Sequence, residues 1–335
     1  MRILLVKLSS MGDVIHNLPV VSDIAHAFPH AAIDWVTESP YVELVKLHPR
    51  VRKALPVNLR TLKKQWWKPE RWSQLAAHRA ALSAQEYDAI IDTQGLVKSA
   101  IVATWAYGER YGMSSGSARE PLAAKFYQHL FHIAKNEHAV MRNRQLAAAA
   151  LGYRLNVETD YGLVGKSLGS PRPEWLPSDN GSAHAAHRYI VFLHATSRPD
   201  KQWPTAQWIA LGKKLQALGF ILVLPWGSAA EKQTSDSLAA LLAHSIQPIV
   251  PPAMALTKAA TMLAGATAVV GVDTGLAHLA VALGRPTVGL YMTTSPHLTG
   301  LFGAKSAINL GGGTKDSPAN PSIDAVFGAV SPWLG

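Results

Sequence analysis

The chain has no cysteine. A disulfide framework and a cysteine-ligated zinc site are therefore excluded, and a reducing compartment is allowed without being required. It also lacks a long hydrophobic run. No uninterrupted apolar stretch approaches the ~20 residues that span a bilayer. The first apolar run stops after about seven residues, with no cleavage-site pattern behind it. A soluble protein is expected, attached at most to a membrane surface. Two nucleotide-binding signatures are missing as well: no G-x-G-x-x-G follows a first strand, and there is no P-loop. A nicotinamide enzyme is thereby disfavoured. There is also no D-x-D carboxylate pair for a metal-bound diphosphate, so any phosphate charge must be met by lysines and helix ends. His26 and His30 have the i,i+4 spacing of a metal pair, but Pro29 breaks the helix such a pair needs. No cofactor and no resident metal are expected.

What is present is globular in texture, with 48% hydrophobic and 16% charged residues. At 335 residues the chain is too long for one typical core, so two domains are expected. Lys and Arg outnumber Asp and Glu by 32 to 22, a formal net charge of +10. A positive field favours anionic partners. None of the usual nucleic-acid motifs occurs, and no nucleic-acid partner is expected.

Short apolar runs alternate with helical periodicity in both halves. The first half reads as strands over 3–8, 32–38, 51–57 and 87–94, with helices over 14–28, 41–48 and 72–84, then Ala-rich helical patterns to about Leu151. From Gly165 to Arg188 the sequence turns to Gly, Pro, Ser and Asn and reads as a linker. The alternation then restarts. Strands are predicted over 189–195, 220–227, 268–273 and 286–292, with a short one in "PIVP", and helices over 205–219, 229–245, 255–266 and 274–284. This pattern predicts an α/β protein of two Rossmann-like, doubly wound domains: residues 1–165, a linker over 166–188, and 189–335, the C-terminal helix being free to pack back on the first domain.

In such sheets ligands bind beyond the carboxyl ends of the strands, so the strand-end segments carry the functional expectation. "SSMGDVIHNLP" places Asp13 where the first strand turns into a helix. Asp13 is either a helix cap or an acid held in a cleft to take a proton. "VVGVDTGLAHL" sets Thr274 and Gly275 at a helix start directly after Asp273, where free backbone N–H groups and the helix dipole suit a diphosphate. "HATSRPDKQWP" brings Thr196, Ser197 and Lys201 behind another strand, and "LPWGSAAEK" brings Glu231, taken alone an ordinary exposed helix residue but also able to accept hydrogen bonds from ribose hydroxyls. "DTQGLVKSA" adds Thr93, Gln94 and Lys98, and "SAREPLAAKFY" adds Arg119 and Glu120 at a further helix start. "RTLKKQWWKPERW" carries Arg60, Lys63, Lys64, Lys68 and Arg71 with Trp66, Trp67 and Trp72 interleaved. Two readings of it stand: a solvated basic face whose tryptophans pack inward, or a clamp for an acidic substrate or anionic lipid surface.

Together these six co-ordered motifs, "SSMGDVIHNLP", "DTQGLVKSA", "AREPLA", "HATSRPDKQWP", "LPWG" and "VDTGLAHL", resemble the ADP-heptose glycosyltransferases over nearly the whole chain. The "SSMGD" and "AREP" elements are more similar to the members that add a first heptose than to those that add a second. The resemblance implies a GT-B fold, two Rossmann-like domains facing across a cleft. It implies inverting, metal-independent transfer of L-glycero-D-manno-heptose from ADP-heptose to Kdo2-lipid A, in lipopolysaccharide inner-core biosynthesis, by a cytoplasmic protein peripheral on the inner face of the inner membrane. Under it Asp13 is the general base, and Lys201 meets the diphosphate or the heptose. Thr196, Ser197, Thr274, Gly275 and Leu276 line the diphosphate region. Asp273 and His278 lie near the sugar, Glu231 at the ribose, and Met254 against adenine. Arg60, Lys63, Lys64, Gln94, Lys98 and Arg119 hold the acceptor. A second heptosyltransferase, another GT-B nucleotide-sugar enzyme and a non-catalytic nucleotide-binding module are the alternatives.

Overall fold

Apolar runs without alternation become strands because a parallel sheet with helices on both sides buries both of its faces. In the computed structural model the strands of the first unit are β1 (Arg2–Val6), β2 (Ala32–Glu38), β3 (Val51–Val57), β4 (Glu86–Asp92), β5 (Tyr107–Met113) and β6 (His129–Phe131), of which β1 is the clearest such run. They form one parallel sheet in the order β3-β2-β1-β4-β5-β6. The structure describes residues 1–156, 158–163, 173–176, 188–196, 198–243 and 246–335, with only the backbone of Leu62 and Lys63. Two compact units meet between Leu163 and Val164. Most of the expected linker over 166–188 lies outside the described residues.

The helices of the first unit are α1 (Met11–Ile15), α2 (Leu18–Ala27), α3 (Val42–Lys46), α4 (Leu59–Lys64), α5 (Pro69–Ser83), α6 (Val97–Ala103) and α7 (Ala139–Leu151). The single helix expected over 14–28 is two, because Pro19 sits in the first turn of α2, where its missing N–H costs nothing, and cannot continue α1. The Ala-rich stretch read as helical contains β5 and β6. β5 is mostly exposed or half-buried and contains Gly108 and Gly112, and β6 is only three residues, so neither shows a clear apolar period. "AREP" leads into a 3₁₀ turn, Pro121–Phe126, rather than an α-helix. Pro56 is tolerated in β3 because that strand is an edge.

The second unit repeats the plan with β7 (Tyr189–Leu193), β8 (Ile221–Val223), β9 (Ala268–Val272), β10 (Thr287–Tyr291) and β11 (Ala307–Gly311), all parallel, in the order β11-β10-β9-β7-β8. Its helices are α8 (Thr205–Ala217), α9 (Ala229–Leu242), α10 (Leu256–Ala264), α11 (Gly275–Ala282), α12 (Pro296–Thr299) and α13 (Ile323–Val330). "PIVP" contributes one bridge, Val223 to Ile249, since its two prolines cannot donate to a ladder. β11 escaped the sequence reading, and the C-terminal helix, expected there without bounds, is α13. α13 puts Val326 and Val330 into the core of this second unit with Phe192, Trp208 and Leu222.

Each sheet has one place where consecutive connections leave in opposite directions: between β1 and β4 in the first unit, and between β7 and β9 in the second. These switch points leave a crevice beyond the strand ends. The loops there begin at Lys7 and Thr93 in one unit and at His194 and Asp273 in the other.

Candidate active site

At the first switch point the backbone of the β1–α1 turn is held by the segment that follows β4. Gln94 Oε1 accepts from Leu8 N at 3.0 Å and Ser9 N at 3.2 Å. Buried Asp92 accepts from Gln94 N at 2.8 Å and from the Tyr127 hydroxyl at 2.7 Å, and burial raises its pKa against those bonds. Gln94 is thus a brace of the turn, although its Nε2 is buried without a partner. Thr93 is buried and its hydroxyl turns back to Val6 O, so of its segment only Lys98 reaches outward, donating to Ser9 Oγ at 3.3 Å.

Asp13 stands in this turn. It is not itself the cap residue, as the sequence suggested; Ser10 is, and Asp13 closes the capping box three residues on. Its Oδ2 accepts from Ser10 N at 2.8 Å and Ser10 Oγ at 3.1 Å, and Arg119 Nη1 lies 3.7 Å from the same oxygen. Among the described residues none of these contacts falls on Oδ1. One carboxylate oxygen fixes the turn while the other is left to accept a proton, so the two roles weighed for Asp13 are compatible.

Lys7, missed by the sequence reading, is buried beneath the turn. Its Nζ donates to Thr93 O at 2.8 Å and to Asn143 Oδ1 at 3.2 Å. Burial lowers its pKa to about 8, opposed by the charges of Asp13 and Asp92. The signal was present: a single lysine inside the otherwise apolar "RILLVKL". On the other side of β1, Arg60 Nη1 approaches the Tyr41 hydroxyl at 3.4 Å. Burial raises the pKa of Glu38 and the Arg60 charge opposes the rise, so Arg60 sits at the end of β2. Lys64 is exposed on α4, and the Lys63 side chain lies outside the described residues.

At the second switch point Lys201 Nζ and Asp273 Oδ2 are 2.5 Å apart, with side chains 17% and 12% exposed. Thr294 Oγ1 donates to the same oxygen at 3.0 Å, and His278 Nε2 lies 3.9 Å from Asp273 Oδ1. Burial works to raise the Asp273 carboxyl, but His278 and Lys201 outweigh it and hold the group below the usual carboxylate range. Thr294 had no sequence signal. The next three residues, Thr274, Gly275 and Leu276, are half-buried and open α11, whose Ncap Thr274 makes no side-chain capping bond. The first-turn N–H groups thus face outward beside a lysine.

Thr196 and Glu231 line a separate pocket of 510 Å³ with His194, Gln202, Trp203 and Ser228. Burial lowers the His194 pKa to about 4. Glu231 Oε2 accepts from Gly227 N at 2.7 Å and caps the turn that Trp226 occupies. Trp226 Nε1 donates to Pro251 O at 2.8 Å, tying this turn to the loop that carries half-buried Met254. Ser197 lies outside the described residues.

A family model described as glycosyltransferase family 9 (heptosyltransferase) matches residues 75–322. The chain belongs to glycosyltransferase family 9. Lipopolysaccharide heptosyltransferase 1 of Escherichia coli K12 is 42% identical over 310 residues, 92% of this chain and 93% of that protein. The Pseudomonas aeruginosa protein of the same name is 41% identical over 325 residues, 96% of this chain and 86% of its own length. The E. coli heptosyltransferase WaaC, solved with ADP, superposes with a TM-score of 0.86 at 39% identity, covering 99% of this chain and all of that one. This family 9 chain is therefore a glycosyltransferase, and its paired parallel sheets are those of the GT-B class. Within family 9, the E. coli heptosyltransferase 2 stands further away, at 26% identity over 321 residues.

Proposed function

We propose that the protein transfers L-glycero-D-manno-heptose from ADP-heptose to Kdo2-lipid A, with inversion and without a metal, while attached to the cytoplasmic face of the inner membrane. The observation that carries this reading is the difference in likeness along nearly the full chain: 42% identity to a lipopolysaccharide heptosyltransferase 1 against 26% to a heptosyltransferase 2 of the same organism.

The chemistry assigned to the chain is a single displacement. The acceptor hydroxyl oxygen bonds to the anomeric carbon and its proton passes to Asp13 Oδ1, the oxygen not engaged by Ser10. The bond from the anomeric carbon to the diphosphate oxygen breaks, and that oxygen keeps the electron pair. Lys201, Ser197 and the first-turn N–H groups of α11 meet the charge that builds on departing ADP. Asp273 orients Lys201 and, with His278, lies near the heptose. Glu231 and Met254 take the ribose and adenine, with Thr196 beside them. Arg60, Lys63, Lys64, Lys98 and Arg119 hold the acceptor's carboxylates and phosphates, and Gln94 keeps the turn in place. Incubation with ADP-heptose and Kdo2-lipid A, read by mass, tests the reading. The expected product is the acceptor plus one heptose. Donor binding without product would leave a non-catalytic module, and product only from an acceptor that already carries a heptose would make it a second heptosyltransferase.

The donor assignment makes its own prediction. Gly275 does not have a positive φ, so valine fits its backbone, and the added bulk falls at the opening of α11. Gly275→Val is expected to weaken ADP binding by about 5- to 150-fold, the effect of ~1–3 kcal/mol of steric clash. Titration calorimetry with ADP checks it, and unchanged affinity in the folded variant would take α11 out of the donor site.

A further inference from the structure

Ten tryptophans are spread through the chain, and only Trp66, Trp67 and Trp72 are strongly exposed, at 64%, 62% and 52%. All three lie in seven residues at the elbow between α4 and α5. The inward-packing alternative for this segment is thereby excluded. The rings form one patch: Trp66 and Trp67 pack edge to face with centroids 6.3 Å apart, and Trp72 Nε1 donates to Trp66 O at 2.7 Å. A folded protein keeps single large apolar side chains on its surface without consequence, but a contiguous aromatic patch marks an interaction site. The elbow is also braced. Arg71 Nε donates to Gln65 Oε1 and its Nη1 to Gln74 Oε1, both at 3.0 Å. In α5 only Leu82, near the far end, is buried. The start of this helix therefore stands clear of the core.

We infer that the Trp66–Trp67–Trp72 elbow is the surface by which the protein docks on an anionic lipid bilayer. Tryptophan suits the headgroup boundary because its ring is apolar and its N–H polar. Exposed Lys68, with Arg71 between the rings and against the lone Glu70, supplies the charge complement to anionic headgroups. A protein partner fits less well, because lysine is depleted from the centres of protein interfaces. No helix of the described residues is long and apolar enough to cross a membrane, so attachment through this elbow would be at the surface. The structure also divides what the sequence left as one basic segment. Arg60 approaches Tyr41 and the Glu38 field at the strand ends, whereas the three rings point to solvent. Acceptor binding and bilayer docking thus belong to different parts of it.

The inference rests on the reading that the acceptor is lipid-linked, and the two are tested separately. The full chain is sedimented with vesicles of phosphatidylcholine alone, or of phosphatidylcholine with phosphatidylglycerol, with no sugar substrate present. Transfer is measured on a soluble, deacylated acceptor. Wild type is expected to sediment only with the anionic vesicles, and to be released by high salt. Trp66→Ala/Trp67→Ala/Trp72→Ala is expected to weaken that binding by at least about tenfold, and Lys68→Gln/Arg71→Gln by about thirtyfold. Both should keep kcat/KM on the soluble acceptor. Arg60→Ala should do the reverse, raising the acceptor KM while vesicle binding stays. The inference is overturned if wild type ignores anionic vesicles, if both elbow variants bind like wild type, if the elbow variants lose activity on the soluble acceptor, or if the tryptophans hold a second copy of the chain together in solution. No transfer to any acceptor, with vesicle binding intact, would instead sink the heptosyltransferase reading.

Discussion

Replacing Asp13 by asparagine is expected to leave the fold and ADP binding intact while turnover falls by ~10²–10⁴-fold, the usual worth of a general base. The structure makes this substitution unusually clean. Asp13 holds the β1–α1 turn through Oδ2, which accepts from Ser10 N and Ser10 Oγ. The asparagine carbonyl accepts both bonds equally well. Its amide then occupies the position of Oδ1, and an amide donates protons there instead of accepting one. The contact with Arg119 is long and half-exposed, so losing the charge costs little stability. Asp13 is one of the charges that hold up the pKa of buried Lys7, about 8 in wild type, so the variant lowers it further and the two proteins are compared over a range of pH below that value. Single-turnover rates on Kdo2-lipid A decide the matter. A variant within a few fold of wild type, with chemistry as the slow step, would leave Asp13 as a capping residue and nothing more.

How much of this was legible beforehand follows from burial. β2 and β3 have the ends the sequence predicts; β2 is buried along nearly its whole length, whereas β3 is an edge strand with Arg52 and Lys53 exposed and shows only a broken apolar run. β5 and β11 left none: their residues are mostly half-buried or exposed, and Gly108 and Gly112 interrupt β5. The candidate site was legible where a polar residue lies behind an apolar run, as with Asp13 and Asp273, but not at Thr93, whose hydroxyl turns back to Val6 O. It was less so where partners come from distant segments. Nothing around Thr294 points to Asp273, and nothing local tells that Gln94 is turned inward to hold the backbone of Leu8 and Ser9. The basic segment shows the same limit. Its composition suggested a surface role, but only the approach to Tyr41 and the charge of Glu38 separates Arg60, itself exposed, from the exposed tryptophans.

The largest combined effect on stability and activity is expected from Lys201→Met. Lys201 and Asp273 are a nearly buried pair, and removing one partner strands the other. Breaking such a pair costs about 3–5 kcal/mol, and Thr294 and His278 still contact Asp273, so the low end applies, ~3 kcal/mol. For a unit of this size that lowers the melting temperature by ~6–12 °C. The pH dependence carries the sign of the mechanism. In wild type the folded pKa of Asp273 lies below its unfolded value, so its contribution is complete above about pH 4 and is lost only as the pH falls through the depressed folded value. In the variant, burial acts with one cation fewer and the folded pKa rises. If it passes the unfolded value, the folded state binds the proton first, and acidification from neutral pH then favours folding. The stability gap between the two proteins is therefore expected to narrow from pH 7 towards pH 5. Turnover is expected to fall by ~10²–10³-fold, as for loss of one preorganised group at a developing negative charge. Melting curves across that pH range check the first part and single-turnover kinetics the second. A gap that stays constant with pH would show that Asp273 does not depend on Lys201 for its charge. Unchanged turnover at a temperature where the variant is folded would remove Lys201 from the departing diphosphate.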